Sequence, residues 1–129
     1  MDISEYKAEE LQDIIDILDA ILGNEEGVSY VVKQAFKEMP GGKEGEEQVC
    51  VRKEAFYFIA NVLEVWKEML NLKITENFVR FALGPGIEYT GAGYTATEMT
   101  GFILKIFVAL RTMLQERTLS LKEGVPAKT

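Results

Sequence analysis

Four carboxylates near the start of the chain, Glu5, Glu9, Asp13 and Asp16, follow one another at steps of four, four and three residues. On a helix that spacing puts all four on one face. Glu10 and Asp19 widen the stripe. Carboxylates at this density repel unless a cation or a basic partner lies opposite. Two chemistries fit: docking of a basic protein segment, or loose binding of a divalent metal. A solvated helix face accounts for the same pattern without any ligand. Metal is the weaker functional reading, because carboxylate metal sites in bundles draw ligands from several helices and add histidines. The chain has no histidine. That removes imidazole acid/base chemistry and most zinc and iron sites. No cofactor is expected.

Three other stretches invite a chemical reading. Gly41-Gly42-Lys43 resembles part of a phosphate loop but lacks the following Ser/Thr and the upstream glycine spacing. Residues 84–94, GPGIEYTGAGY, precede a helix start, where free N–H groups can hold an anion. No Lys or Arg occurs from Phe81 to Leu104, and Glu98 occupies the first turn, so a plain connector is the favoured reading; Tyr89 and Tyr94 remain available for a protein contact. Lys33 and Lys37 lie one turn apart, with Lys43, Arg52 and Lys53 following. This cluster supports an alternative function, a small subunit of a nucleic-acid-processing complex. Four arginines and a net charge of −7 argue against general nucleic-acid binding by the chain alone. Cys50 is the only cysteine, so no internal disulfide forms. It is expected to be a small buried or half-buried residue, although Arg52 or Lys53 could activate it. No catalytic motif emerges, and the chain is expected not to be an enzyme.

The elements that would carry these residues are helices. The stretch Met99–Leu114, MTGFILKIFVALRTML, holds only two charges, Lys105 and Arg111. A helix apolar on most of its circumference must be wrapped by its own fold or by a partner. Thr95 and Glu98 form a capping box at its start, and the helix is expected to run to about Arg117, roughly 35 Å. Its solvent stripe contains Glu98, Gly101, Lys105, Ala109 and Thr112. Gly101 and Ala109 flank Lys105 with small surfaces, so Gly101, Lys105 and Ala109 are candidate contacts of a homo-oligomer. Full coverage by the other helices is the competing reading.

Residues 4–22 carry Leu11, Ile14, Ile15, Leu18, Ile21 and Leu22 at helical spacing, with Ser4 or Asp2 as N-cap and Gly23 as the terminating residue. Asn24 caps a second helix to about Met39, with a stripe of Val28, Val31, Val32, Ala35, Phe36 and Met39. Pro40–Glu47 breaks the pattern. Residues 49–72 form a long helix with a narrow polar stripe and apolar residues, including Val65, Trp66 and Met69, filling the rest. An apolar ligand pocket near Trp66 is a weaker possibility. Thr75 caps a short helix ended by Gly84-Pro85. No strand pair is expected.

The predicted fold is therefore an all-α compact bundle of about five helices, with those near 49–72 and 95–117 central. Residues 1–120 form one domain and 121–129 a frayed tail. Residues 1–26 hold nine acids and one base, so the rest of the chain sums to +1 and the acidity belongs to the first helix. The expected function is a small helical interaction or assembly subunit that self-associates and presents its acidic helix to a basic partner. The acidic start without an apolar run predicts no secretory leader, and no stretch is apolar enough to span a membrane. Single-cysteine usage fits a cytoplasmic location. High Glu and low Asn and Gln lean toward a thermophilic source.

Overall fold

A computed structural model describes residues 5–38, 50–51, 54–84 and 93–122. The all-α bundle is what it shows. In chain order the elements are α1 (Ala8–Leu22), α2 (Glu25–Lys37), β1 (Cys50–Val51), α3 (Ala55–Leu63), a 3₁₀ turn (Glu64–Trp66), α4 (Lys67–Leu70), α5 (Glu76–Leu83), β2 (Gly93–Tyr94) and α6 (Ala96–Lys122). The β elements are a two-residue antiparallel ladder, Cys50 opposite Tyr94 and Val51 opposite Gly93. The expectation of no strand pairing is corrected to that extent. A ladder this short ties two connections together and leaves the class unchanged.

The hub is α6. Met99, Ile103, Ile106, Phe107, Leu110 and Leu114 have no exposed surface. They face α1, α2, α5 and α3. Removing this many side chains from water, at roughly 1.5–3 kcal/mol each, is the main force assembling the bundle. α1 is the most extensive partner of α6 and buries Leu11, Ile14, Ile15, Leu18 and Ile21. Two edge-on aromatic pairs lock the remaining helices in place: Phe36 of α2 against Phe58 of α3 at 4.9 Å, and Trp66 against Phe107 of α6 at 5.2 Å. Thr118, buried low on α6, satisfies its hydroxyl by donating to the Leu114 carbonyl one turn back, at 2.8 Å.

The helix ends follow capping chemistry. The Asn24 side chain accepts from the Gly27 N–H, Thr75 Oγ1 from the Phe78 N–H, and Thr95 Oγ1 from the Glu98 N–H while Glu98 returns the bond to the Thr95 N–H. Three boundaries differ from expectation, and a fourth, Gly23 at the end of α1, stands where expected but in another geometry. α1 starts at Ala8 rather than near residue 4, its first turn held by the Lys7 N–H donating to Glu10. The proposed caps Asp2 and Ser4 lie outside the described residues. Gly23 ends α1 in ordinary right-handed geometry (φ −75°), so its glycine freedom is unused. The 49–72 helix is split: residues 50–51 are extended, a 3₁₀ turn interrupts it at Glu64–Trp66, and Asn71 stops it in the left-handed region at φ 49°. Finally, α6 reaches Lys122, so Leu121 and Lys122 are helical rather than frayed; residues 123–129 lie outside the described set.

Candidate functional site

The acidic stripe stands in solvent. Glu9, Asp13 and Asp16 project from the outer face of α1, opposite the Leu/Ile seam on α6, and all are exposed. Glu5 is exposed too but precedes the helix, so three of the four acids share the helical face rather than all four. Its neighbour Tyr6 donates its hydroxyl to the Asn71 carbonyl at 3.1 Å, which fixes how the chain enters α1. Some of the acids are occupied. Glu10 caps the Lys7 N–H, Asp16 accepts from Gln12 at 3.0 Å, and Asp19 accepts from Arg111 of α6 at 3.0 Å. The Asp19–Arg111 pair tethers α1 to α6 at the surface. Among the described residues no group of three or more His, Cys, Asp or Glu side chains is arranged to hold a metal.

The α6 stripe lies where its spacing placed it. Gly101 and Lys105 are exposed and Ala109 is half-buried. A Cβ on Gly101 would meet nothing within 4 Å. Lys105 is already used within the fold: its Nζ donates to the Leu83 carbonyl at 3.2 Å. That puts a cation on the negative end of the α5 dipole and satisfies an end carbonyl. Gly84 completes that helix end at φ 72°, a conformation costly for any residue with a Cβ. Sequence spacing alone does not reveal the α5–α6 link because its partner is a backbone oxygen 22 residues away.

Of the basic cluster, Lys33 and Lys37 are exposed on α2, while Lys43, Arg52 and Lys53 lie outside the described residues, as does the Gly41-Gly42-Lys43 run. Only the ends of the 84–94 connection are described. At its far end the start of α6 is closed by Thr95 and Glu98, whose carboxylate takes the place an anion would need. Tyr94 is fully buried, edge-on to Phe102 at 5.2 Å, and its hydroxyl meets no partner among the described residues. Tyr89 and the side chain of Cys50 are outside the described set.

Near Trp66, where an apolar pocket is the weaker expectation, the Trp66 ring packs edge-on against Phe107 of α6 at 5.2 Å. Two grooves open elsewhere. One, about 980 Å³, runs between α3 and α5 and is lined by Phe56, Tyr57, Leu63, Lys67, Lys73 and Arg80. The Arg80 guanidinium lies 4.0 Å over the Phe56 ring and also bonds Glu76 at 3.0 Å, so this wall is built from within the chain. The other, about 500 Å³, lies between α2 and α3 over Val31, Ala35, Phe58 and Val62, with Tyr30 and Val65 on its rims.

The unexpected surface is apolar. Tyr30 (64% exposed), Tyr57 (75%), Val65 (57%), Met69 (57%) and Phe81 (78%) stand out from α2 to α5. Val65 and Met69 were expected to be covered. They sit one helical row off the polar stripe of Asn61, Glu64 and Glu68, and no described element packs over that row. Each directly follows a glutamate, Glu64 before Val65 and Glu68 before Met69, which is the only signal of exposure that the sequence carries there. No described helix is long and apolar enough to cross a membrane. Neither the known protein families, nor the curated proteins, nor the solved structures contain a match to this chain.

Proposed function

We propose that this chain is a small non-enzymatic helical interaction or assembly subunit that self-associates and offers the acidic face of α1 to a basic partner in a reducing, cytoplasmic setting. The observation that carries the reading is the division of the surface. Large apolar side chains, Tyr30, Tyr57, Val65, Met69 and Phe81, stand exposed on α2 to α5, whereas the exposed face of α1 is acidic. Exposed apolar groups clustered around grooves mark contact surfaces more often than solitary ones do. An acidic helix face adds electrostatic steering toward positively charged surfaces.

The nucleic-acid alternative draws on Lys33 and Lys37 alone among the described residues. Two phosphate contacts provide little affinity at physiological salt, and the net charge of −7 opposes them. Light scattering behind size exclusion, over a hundredfold concentration range, tests self-association; a strictly monomeric chain at the highest concentration removes that half of the reading. Titration with a lysine-rich peptide tests the other half. Binding should weaken at least fivefold in a Glu9→Gln, Asp13→Asn, Asp16→Asn variant and fall with salt. Equal binding by the variant removes the acidic docking face.

A further inference from the structure

The outward face of α2 carries a pattern that the bundle does not use. Glu26, Tyr30, Lys33 and Lys37 follow at steps of four, three and four residues, so they form one seam along the helix. All four are exposed. The buried face of the same helix, Val28, Val32 and Phe36, points into the core. Among the described residues, no hydrogen bond or ion pair involves the Glu26 carboxylate or the Lys33 and Lys37 ammoniums. The order of charge along the seam is acid, tyrosine, base, base.

That order is self-complementary when reversed. We propose that a second copy of this chain docks antiparallel on the outer face of α2, with Glu26 of each copy meeting Lys37 of the other and Tyr30 lying over the partner copy's Lys33. The two-fold axis crosses α2 between Val31 and Val32, which sets position 26 opposite 37 and position 30 opposite 33. Ser29 and Gln34, both polar and free of charge, lie about 70° to either side of the seam and put no charge beside it. Glu25 and Glu38 would be the like-charged pair in this register. They sit about 110° round the helix on either side of the seam, at 100° per residue, so they do not meet. A parallel arrangement would instead stack Glu26 on Glu26 and Lys37 on Lys37. The Tyr30 ring supplies the apolar contact and a face for the lysine ammonium. The contact is isologous and closes on a dimer rather than a filament. Exposed ion pairs are weak and screened, so the dimer should loosen steeply with salt.

The inference rests on the self-association proposed above and is built to fail separately from it. Sedimentation equilibrium of the full chain, in low and high salt, is compared for wild type, Glu26→Lys, Lys37→Glu and an equimolar mixture of the two variants. Each variant alone puts like charges opposite at both ends and should dissociate at least tenfold more readily. The mixture restores opposite charges at both ends and should form a heterodimer as tight as wild type, within about threefold. Circular dichroism of each variant checks that α2 remains folded, and rescue in the mixture cannot arise from lost structure. Tyr30→Ser, at an exposed position, should weaken association without changing the melting temperature. A wild type that associates but ignores all three substitutions overturns the α2 seam and leaves self-association standing. Two monomeric variants that stay monomeric when mixed overturn the antiparallel register. A monomeric wild type overturns both.

Discussion

The α6 helix and the segment from α3 through α4 read almost alike as sequence and behave differently in the fold. Both are strongly apolar. The first is one continuous helix of 27 residues wrapped by α1, α2, α5 and α3, with only a thin stripe in water. The second is broken by a 3₁₀ turn and buried on one side only, through Ala55, Phe58, Ile59, Val62, Leu63, Trp66 and Leu70. Its Tyr57, Val65 and Met69 face outward. Hydropathy therefore ranks how much a segment resists water, while the number of neighbours decides how much of it escapes. The α3–α4 segment packs by its inner face against α2, α5, α6 and α1, and its outer row stays exposed.

Substitutions along the two segments would break or sharpen this contrast. The largest effect belongs to Phe107→Ala at the hub, which removes a fully buried ring and its edge contact with Trp66. Urea denaturation should show a loss of about 3–5 kcal/mol. A loss under 1 kcal/mol would mean α6 is not the hub. Leu70→Ala on the inner face of α4 comes next, at about 2–4 kcal/mol, since Leu70 is nearly as inaccessible as the α6 residues. If it costs no more than a surface change, α4 is not part of the core.

Asn71→Ala forces a Cβ-bearing residue lacking asparagine's local hydrogen bonding into the left-handed turn that ends α4, and should cost about 1 kcal/mol; Asn71→Gly should be close to neutral. The pair of melting curves separates backbone strain from loss of the side chain. Lys105→Met keeps the stem but removes the ammonium from the Leu83 carbonyl. A loss of roughly 0.5 kcal/mol is expected, shrinking in high salt. The smallest change belongs to Met69→Gln on the outer row, within about 0.5 kcal/mol of zero. A larger destabilisation there would show that the row is covered within the monomer and would remove it from the interaction surface.

Much of this was legible in the residues. The period of the apolar positions predicts α1, α2 and α6 and their buried faces, because local spacing determines which side chains share a side of a helix. The caps Asn24, Thr75 and Thr95 are equally local, since each side chain reaches only three residues ahead. The acidic stripe on α1 is exposed for the same reason: its angle from the Leu/Ile seam follows from position alone.

What only the tertiary structure decided involves groups far apart in the chain. The Asp19–Arg111 pair spans 92 residues, and Lys105 meets a carbonyl on another helix. Phe107 packs edge-on against Trp66 across 41 positions of sequence. Val65 and Met69 remain exposed because no described element crosses their row. The physical reason is common to all four. A side chain's direction is set by its own helix, but what it meets there is set by how the helices are stacked, and that arrangement minimises exposed apolar area over the whole chain rather than over any window of it.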